Sequence, residues 1–169
     1  MKASSWLLAV CILLPAYTMA GEVSVTWIKP EKFRDMAPAN GVKKPFQERV
    51  MKSLTDYWLG FADDLPKGYK LQVDITDLDL AGDVRPSVGA ANSDLRIMRD
   101  IFFPKMEFSY TLKDSTGKMV SKGDEVIKDM NYLFHVDSRN RNHESWHYEK
   151  RMIKKWFHTK LKPVIGYQI

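Results

Sequence analysis

Apolar and polar side chains alternate from Glu22 to Ile28, with Val23, Val25 and Trp27 on one side and Ser24 and Thr26 on the other. That period of two is the signature of a half-buried strand, and Lys29-Pro30 stops it because proline cannot continue a ladder. After a loop containing Pro38 and Gly41 the period lengthens: Phe46, Val50, Leu54, Tyr57, Trp58 and Phe61 recur at three- and four-residue steps. The spacing predicts a helix that opens near Pro45 and closes at Leu65-Pro66-Lys67-Gly68. Tyr69, Leu71, Val73 and Ile75 then alternate as a second strand, but Leu78 and Leu80 lie on the opposite parity, which predicts a bulge near Thr76-Asp77. The stretch from Ala81 to Asp94 has no apolar period, and Leu95 to Phe103 has room for a short strand.

Met106, Phe108, Tyr110 and Leu112 open a hairpin that turns at Asp114-Ser115-Thr116-Gly117 and returns through Met119, Val120, Val126 and Ile127. Strict register on the return leaves Val126 on the face away from the core, so a bulge at Gly123 is expected to restore its parity. The last periodic segment begins near Ser145, carries Met152, Ile153, Trp156, Phe157 and Leu161 on one stripe, and is expected to end at Pro163. Glu149 lies early in it and lysines crowd its later turns, which complements a helix dipole. Together these elements predict one α+β domain, a mainly antiparallel sheet with two helices packed on one face. The first strand-helix-strand crossover allows one parallel pair. The core falls on Phe46, Val50, Leu54, Trp58, Met152, Trp156 and Phe157.

Residues 1–20 stand outside this pattern. Lys2 precedes an apolar run from Trp6 to Leu14, Pro15 breaks the run, and Thr18-Met19-Ala20 fits a secretory cleavage site. The run is too short to span a bilayer, and Val10 before Cys11 is too bulky for a lipoprotein signal. A signal peptide over 1–20 and a domain over 21–169 follow, with no transmembrane span after cleavage. Cys11 is the single cysteine of the chain, so cleavage would leave no thiol for catalysis or metal binding. An export signal with neither disulfides nor a second apolar span points to the periplasm of a Gram-negative bacterium. The formal net charge of +5, one unit of it from Lys2, does not suggest a nucleic-acid partner. Residues 21–169 can bury a single core without staples.

Four stretches, Pro30-Glu31-Lys32-Phe33, Asp77-Leu78-Asp79-Leu80-Ala81-Gly82, Asp129-Met130-Asn131-Tyr132 and Tyr148-Glu149-Lys150-Arg151-Met152 with Trp156-Phe157, occur in that order after the leader. In that arrangement the chain resembles an uncharacterised family of secreted proteobacterial proteins, domain of unknown function 3016. The resemblance implies a periplasmic single-domain protein and brings no activity, cofactor or catalytic residue with it.

His143-Glu144-Ser145-Trp146-His147 reads as H-E-x-x-H, the spacing with which a helix presents two zinc ligands and a general base. Here it falls at a helix start after Arg139-Asn140-Arg141-Asn142, and no acidic residue follows Glu149 to supply a third ligand. His158 lies roughly 16 Å further along a continuous helix, and His135 and Asp137 precede the pair in an order unlike that of zinc peptidases. Asp74, Asp77, Asp79 and Asp83 suggest a calcium loop until Ala81 and Val88 occupy its fifth and twelfth positions. The chain is therefore expected to be a non-enzymatic binding or envelope-interaction module without a cofactor. Its partner would be a periplasmic or envelope protein or a small ligand, and a zinc hydrolase using His143, Glu144 and His147 is the alternative. The candidate binding residues are Asp77, Asp79, Asp129, Asn131, Tyr132 and Arg151. The hairpin's end and the last helix must meet for Met152 and Trp156 to cover the sheet. That return predicts a pair between Asp129 and Arg151 or Lys150, with Asn131 bonded to loop backbone.

Overall fold

The computed structural model describes residues 20–38, 42–84, 96–134 and 145–166. Strand β1 (Glu22–Trp27) lies parallel to β2 (Lys70–Asp79), from Glu22 opposite Lys70 to Trp27 opposite Ile75. Helix α1 (Lys43–Leu59) and a 3-10 turn (Gly60–Asp64) form the crossover between them. The indole of Trp27 donates to Thr55 Oγ1 at 3.0 Å and pins the helix to the edge strand. Strand β2 pairs antiparallel with β5 (Lys105–Lys113), which pairs antiparallel with β6 (Met119–Lys128), so the sheet reads β1-β2-β5-β6. A separate two-residue ribbon joins β3 (Asp83–Val84) to β4 (Arg96–Ile97). This is a single α+β domain with a mixed sheet.

The register of β2 on β5 shifts between Ile75 and Asp77. Thr76 is the extra residue, the bulge that the parity slip requires, and it returns Leu78 to the buried face with Leu71, Val73 and Ile75. The expected bulge at Gly123 is absent. Gly123 pairs directly with Tyr110, and Val126 stays on the open face opposite Glu107, 58% exposed. The register shift in that hairpin falls between Leu112 and Lys113, where Val120 is the extra residue and packs against the core. Glycine serves another purpose at 123: an added Cβ would stand 3.3 Å from the Tyr110 ring.

Helix α2 (His147–Trp156) starts after Trp146, whose φ of 64° is left-handed, two residues beyond the expected start. Pro163 does not end the helical run. A π-helical turn (Phe157–Leu161) widens the helix ahead of α3 (Lys162–Gly166), and Pro163 sits inside α3. Proline lacks the N–H that an α-helix would aim at Thr159 and crowds that carbonyl, and a widened turn relieves both conflicts. From that turn the Thr159 hydroxyl donates to the Lys155 carbonyl of α2 at 2.8 Å, occupying an acceptor near the helix end.

Both helices lie on one face of the sheet. Trp156 stands edge-on to Phe108 at 4.9 Å, Tyr110 at 5.1 Å and Trp58 at 5.6 Å, while Phe61 stacks on Phe157 at 4.2 Å. All seven residues expected in the core are buried there.

Candidate functional site

The candidate polar residues gather at the end of the sheet where β2 exits, β5 begins and α2 arrives. The Thr76 bulge turns Asp77 toward the loop that follows β1. Its Oδ1 accepts the N–H of Arg34 at 3.1 Å and that of Leu78 at 3.0 Å, and the Arg34 guanidinium lies 3.9 Å from Oδ2. Asp77 thereby fastens the loop, and an isolated parallel bridge between Asp35 and Asp79 continues the contact.

Past Asp79 the chain turns at Gly82, whose φ of +83° few side chains tolerate and whose Cβ, if added, would lie 3.2 Å from the Ile97 carbonyl. That turn exposes the Ala81 and Gly82 carbonyls to Arg96. The Arg96 Nη1 donates to both, at 3.2 and 3.0 Å, and to Asp35 Oδ2 at 2.8 Å. Only 10% of the Arg96 side chain is exposed, and its Nε and Nη2 are buried without a hydrogen-bond partner among the described residues. From α2, Glu149 Oε1 accepts the Ala81 N–H at 2.7 Å; this carboxyl is 2% exposed. Burial pushes it above the ordinary carboxylate range, and the Ala81 bond and the Arg96 charge only partly oppose that rise.

Two residues further along α2, Arg151 Nη2 donates to Asp129 Oδ2 at 3.0 Å and to the Tyr132 carbonyl at 2.9 Å. The expected pair between hairpin end and helix is present. Tyr132 is fully buried, donates its hydroxyl to the Arg99 carbonyl at 2.8 Å and meets the Tyr148 ring edge-on at 4.7 Å. Burial pushes its phenol up to about 12. Asn131 takes a lesser part than expected. It is exposed, its backbone carbonyl accepts the Phe134 N–H at 2.9 Å, and its side-chain amide makes no hydrogen bond among the described residues.

The candidate residues thus fall into two groups, Asp77 and Asp79 at the exit of β2, and Asp129, Tyr132 and Arg151 at the exit of β6. Arg96, Glu149 and the backbone from Arg96 to Phe103 connect them. Arg96 and Glu149 escape sequence reasoning because their partners Asp35 and Ala81 are 61 and 68 positions away. The one available signal for Glu149, its place beside Arg151 in a first helical turn, reads equally well as dipole complementation.

An open cavity of about 300 Å³ lies beside this network, lined in part by Arg34, Asp35, Asp79, Gly82, Phe102 and Phe103. Of its carboxylates, Asp79 makes no hydrogen bond among the described residues. Burial, then the Asp35 charge, raises it above the usual aspartate value despite Arg34 and Arg96 nearby. A half-buried carboxylate of this kind can accept a donor or neutralise a cation. His147 heads α2 with its ring 3.7 Å from that of Tyr148, while His143 and Glu144 lie outside the described residues. Among the described residues no three His, Cys, Asp or Glu side chains are grouped to hold a metal.

A family model described as Protein of unknown function (DUF3016) matches residues 21–159. No curated protein and no solved structure matches the chain.

Proposed function

The chain belongs to the DUF3016 family of proteins of unknown function, and from that premise we propose that it is a non-enzymatic binding module of the periplasm. Its ligand would present a positive charge or a hydrogen-bond donor to Asp79. The observation that carries this reading is the Asp79 carboxylate, half-buried in a cavity of about 300 Å³ without a bonded partner among the described residues. Asp77, Arg96 and Glu149 are spent on backbone and so hold the cavity's frame, and Phe102 and Phe103 supply apolar wall. Export is supported by Lys2, the short apolar run and Thr18-Met19-Ala20, and by a family match that begins at Gly21. Among the described residues no helix is long and apolar enough to cross a membrane.

Calorimetric titration of residues 21–169 with small amines, amino acids, carboxylates and Zn²⁺ tests the reading. An amine or zwitterion should bind, and Asp79→Asn should abolish its binding while leaving the fold intact. Affinity should fall as pH drops through the raised Asp79 value, because the carboxylate must be ionised to bind. Binding unaffected by Asp79→Asn would remove the site, and nanomolar zinc binding lost in His147→Ala would replace the module with a hydrolase. Intact mass of the exported form should show an unmodified chain starting at Gly21; retention of residues 1–20 would overturn the periplasmic assignment.

A further inference from the structure

Strand β6 closes the sheet on one side with ten residues, and among the described residues nothing pairs with its outer edge. Such an edge is a template for another strand unless its side chains forbid pairing. Lys122, Asp124 and Val126 point to the open face, and Ser121, Gly123 and Glu125 to the helix face. Two copies of β6 related by a two-fold axis must pair antiparallel with like faces together, so the axis passes beside one residue and that residue meets itself. At Lys122, Asp124 or Glu125 the axis sets like charges against each other. At Gly123 it brings the two backbones together without side chains, and Lys122 of each copy stands opposite Asp124 of the other. Two attractive pairs then share the open face, and Ser121 lies opposite Glu125 on the helix face. An axis at Val126 would also pair Asp124 with Lys128. It would, however, press together the stretches flanked by Lys155 of α2 and Lys160 of the π-helical turn, which line the groove beside Glu125–Asp129.

We propose that β6 is a homodimerisation edge, two copies of this chain joining antiparallel about Gly123 to make one continuous eight-stranded sheet, four strands from each copy. The contact is a single strand pair, small beside the roughly 1,200–2,000 Å² of a stable interface, so the dimer should be weak and concentration-dependent. Exposed Val126 and Met119, 58% and 48% accessible in one copy, flank the charged centre and gain cover.

Sedimentation equilibrium of residues 21–169 from about 1 µM to 1 mM should show a monomer–dimer equilibrium in the micromolar range or weaker. Lys122→Asp and Asp124→Lys each turn both attractive pairs repulsive and should each raise the dissociation constant about tenfold or more. The double variant K122D/D124K restores opposite charges and should recover the original value. Mixing K122C chains with D124C chains under mild oxidation fixes the register. The mixed disulfide should form faster than either self-disulfide, since these positions face each other only with the axis at Gly123. A monomer at every concentration overturns the proposal. So do single reversals without effect, a double variant that fails to recover, or self-disulfides that form as fast as the mixed one.

Discussion

Arg151 holds two partners with one nitrogen, the Asp129 carboxylate and the Tyr132 carbonyl, and both sit where β6 ends. The pair is largely withdrawn from water, with 21% of the Arg151 side chain and 10% of that of Asp129 exposed. Removing one partner from such a pair strands the other charge, so Asp129→Ala should lower stability by about 3 kcal/mol. Arg151→Ala should do the same, and the double variant should cost much less than the sum, measured by urea unfolding. Additive effects would mean the two do not interact. Glu149 makes a prediction of opposite pH sense. Its folded value lies above the ordinary 4.5, so the folded state keeps this proton to higher pH than the unfolded chain. The resulting stabilisation is complete below the ordinary value and is lost as pH rises through the folded one. Glu149→Gln retains an acceptor for the Ala81 N–H without the proton. The melting temperature of the wild type relative to this variant should therefore fall as pH rises above the ordinary carboxylate value, and a difference that does not change with pH would refute the assignment. The Asp129–Arg151 pair was legible because the buried stripe of α2 forces that helix back onto the hairpin. Arg96 and Glu149 were not, because nothing local distinguishes a buried charge from a solvated one.

Elements were most legible where a period breaks. The slip from Ile75 to Leu78 located the Thr76 bulge because both parities end in buried leucine or isoleucine. The hairpin bulge lies elsewhere than parity predicts, because Val126 is not a core residue and an exposed valine on the open face of an edge strand breaks no packing rule. Pro163 likewise ends an α-helix only if the preceding turn stays α-helical, and the π turn removes that condition. Gly82 is the backbone position on which the polar network depends, since it alone turns the exit of β2 under Arg96. Gly82→Ala combines a positive φ with a Cβ 2.8 Å from the Met98 sulfur and 3.2 Å from the Ile97 carbonyl. The methionine can move; the carbonyl, held in the β3–β4 ribbon, cannot without opening that ribbon. A loss of roughly 2 kcal/mol is expected, with faster amide exchange at Asp83 and Ile97. Unchanged exchange at those amides would show that the turn does not support the ribbon.

At the scale of the whole molecule, one apolar layer and one polar end divide the work. The layer joins both helices to the centre of the sheet: Trp58 from α1, Phe108 from β5 and Trp156 from α2 meet with ring centroids 4.9 to 5.6 Å apart. The polar end ties α2 to the exits of β2 and β6 through Glu149 and Arg151. Because α1 and α2 share this aromatic layer, neither helix can leave the sheet without uncovering large side chains that the other helps to bury. A buried tryptophan replaced by alanine loses about 3–5 kcal/mol, so both Trp58→Ala and Trp156→Ala should destabilise the whole domain, not one helix. Unfolding of the wild type should accordingly be a single transition. Tryptophan fluorescence, which follows Trp27, Trp58, Trp146 and Trp156, and far-UV circular dichroism, which follows the helices, should then give the same midpoint in urea. The polar end adds a sharper form of the test. If its ion pairs were an independent lock, Asp129→Ala would release α2 early and pull the fluorescence midpoint below the dichroism midpoint. With the layer shared, Asp129→Ala should instead shift both midpoints together by the same amount, leaving the slope m unchanged. Separated midpoints in that variant would show that α2 is held to the sheet by Arg151 and Glu149 more than by Trp156.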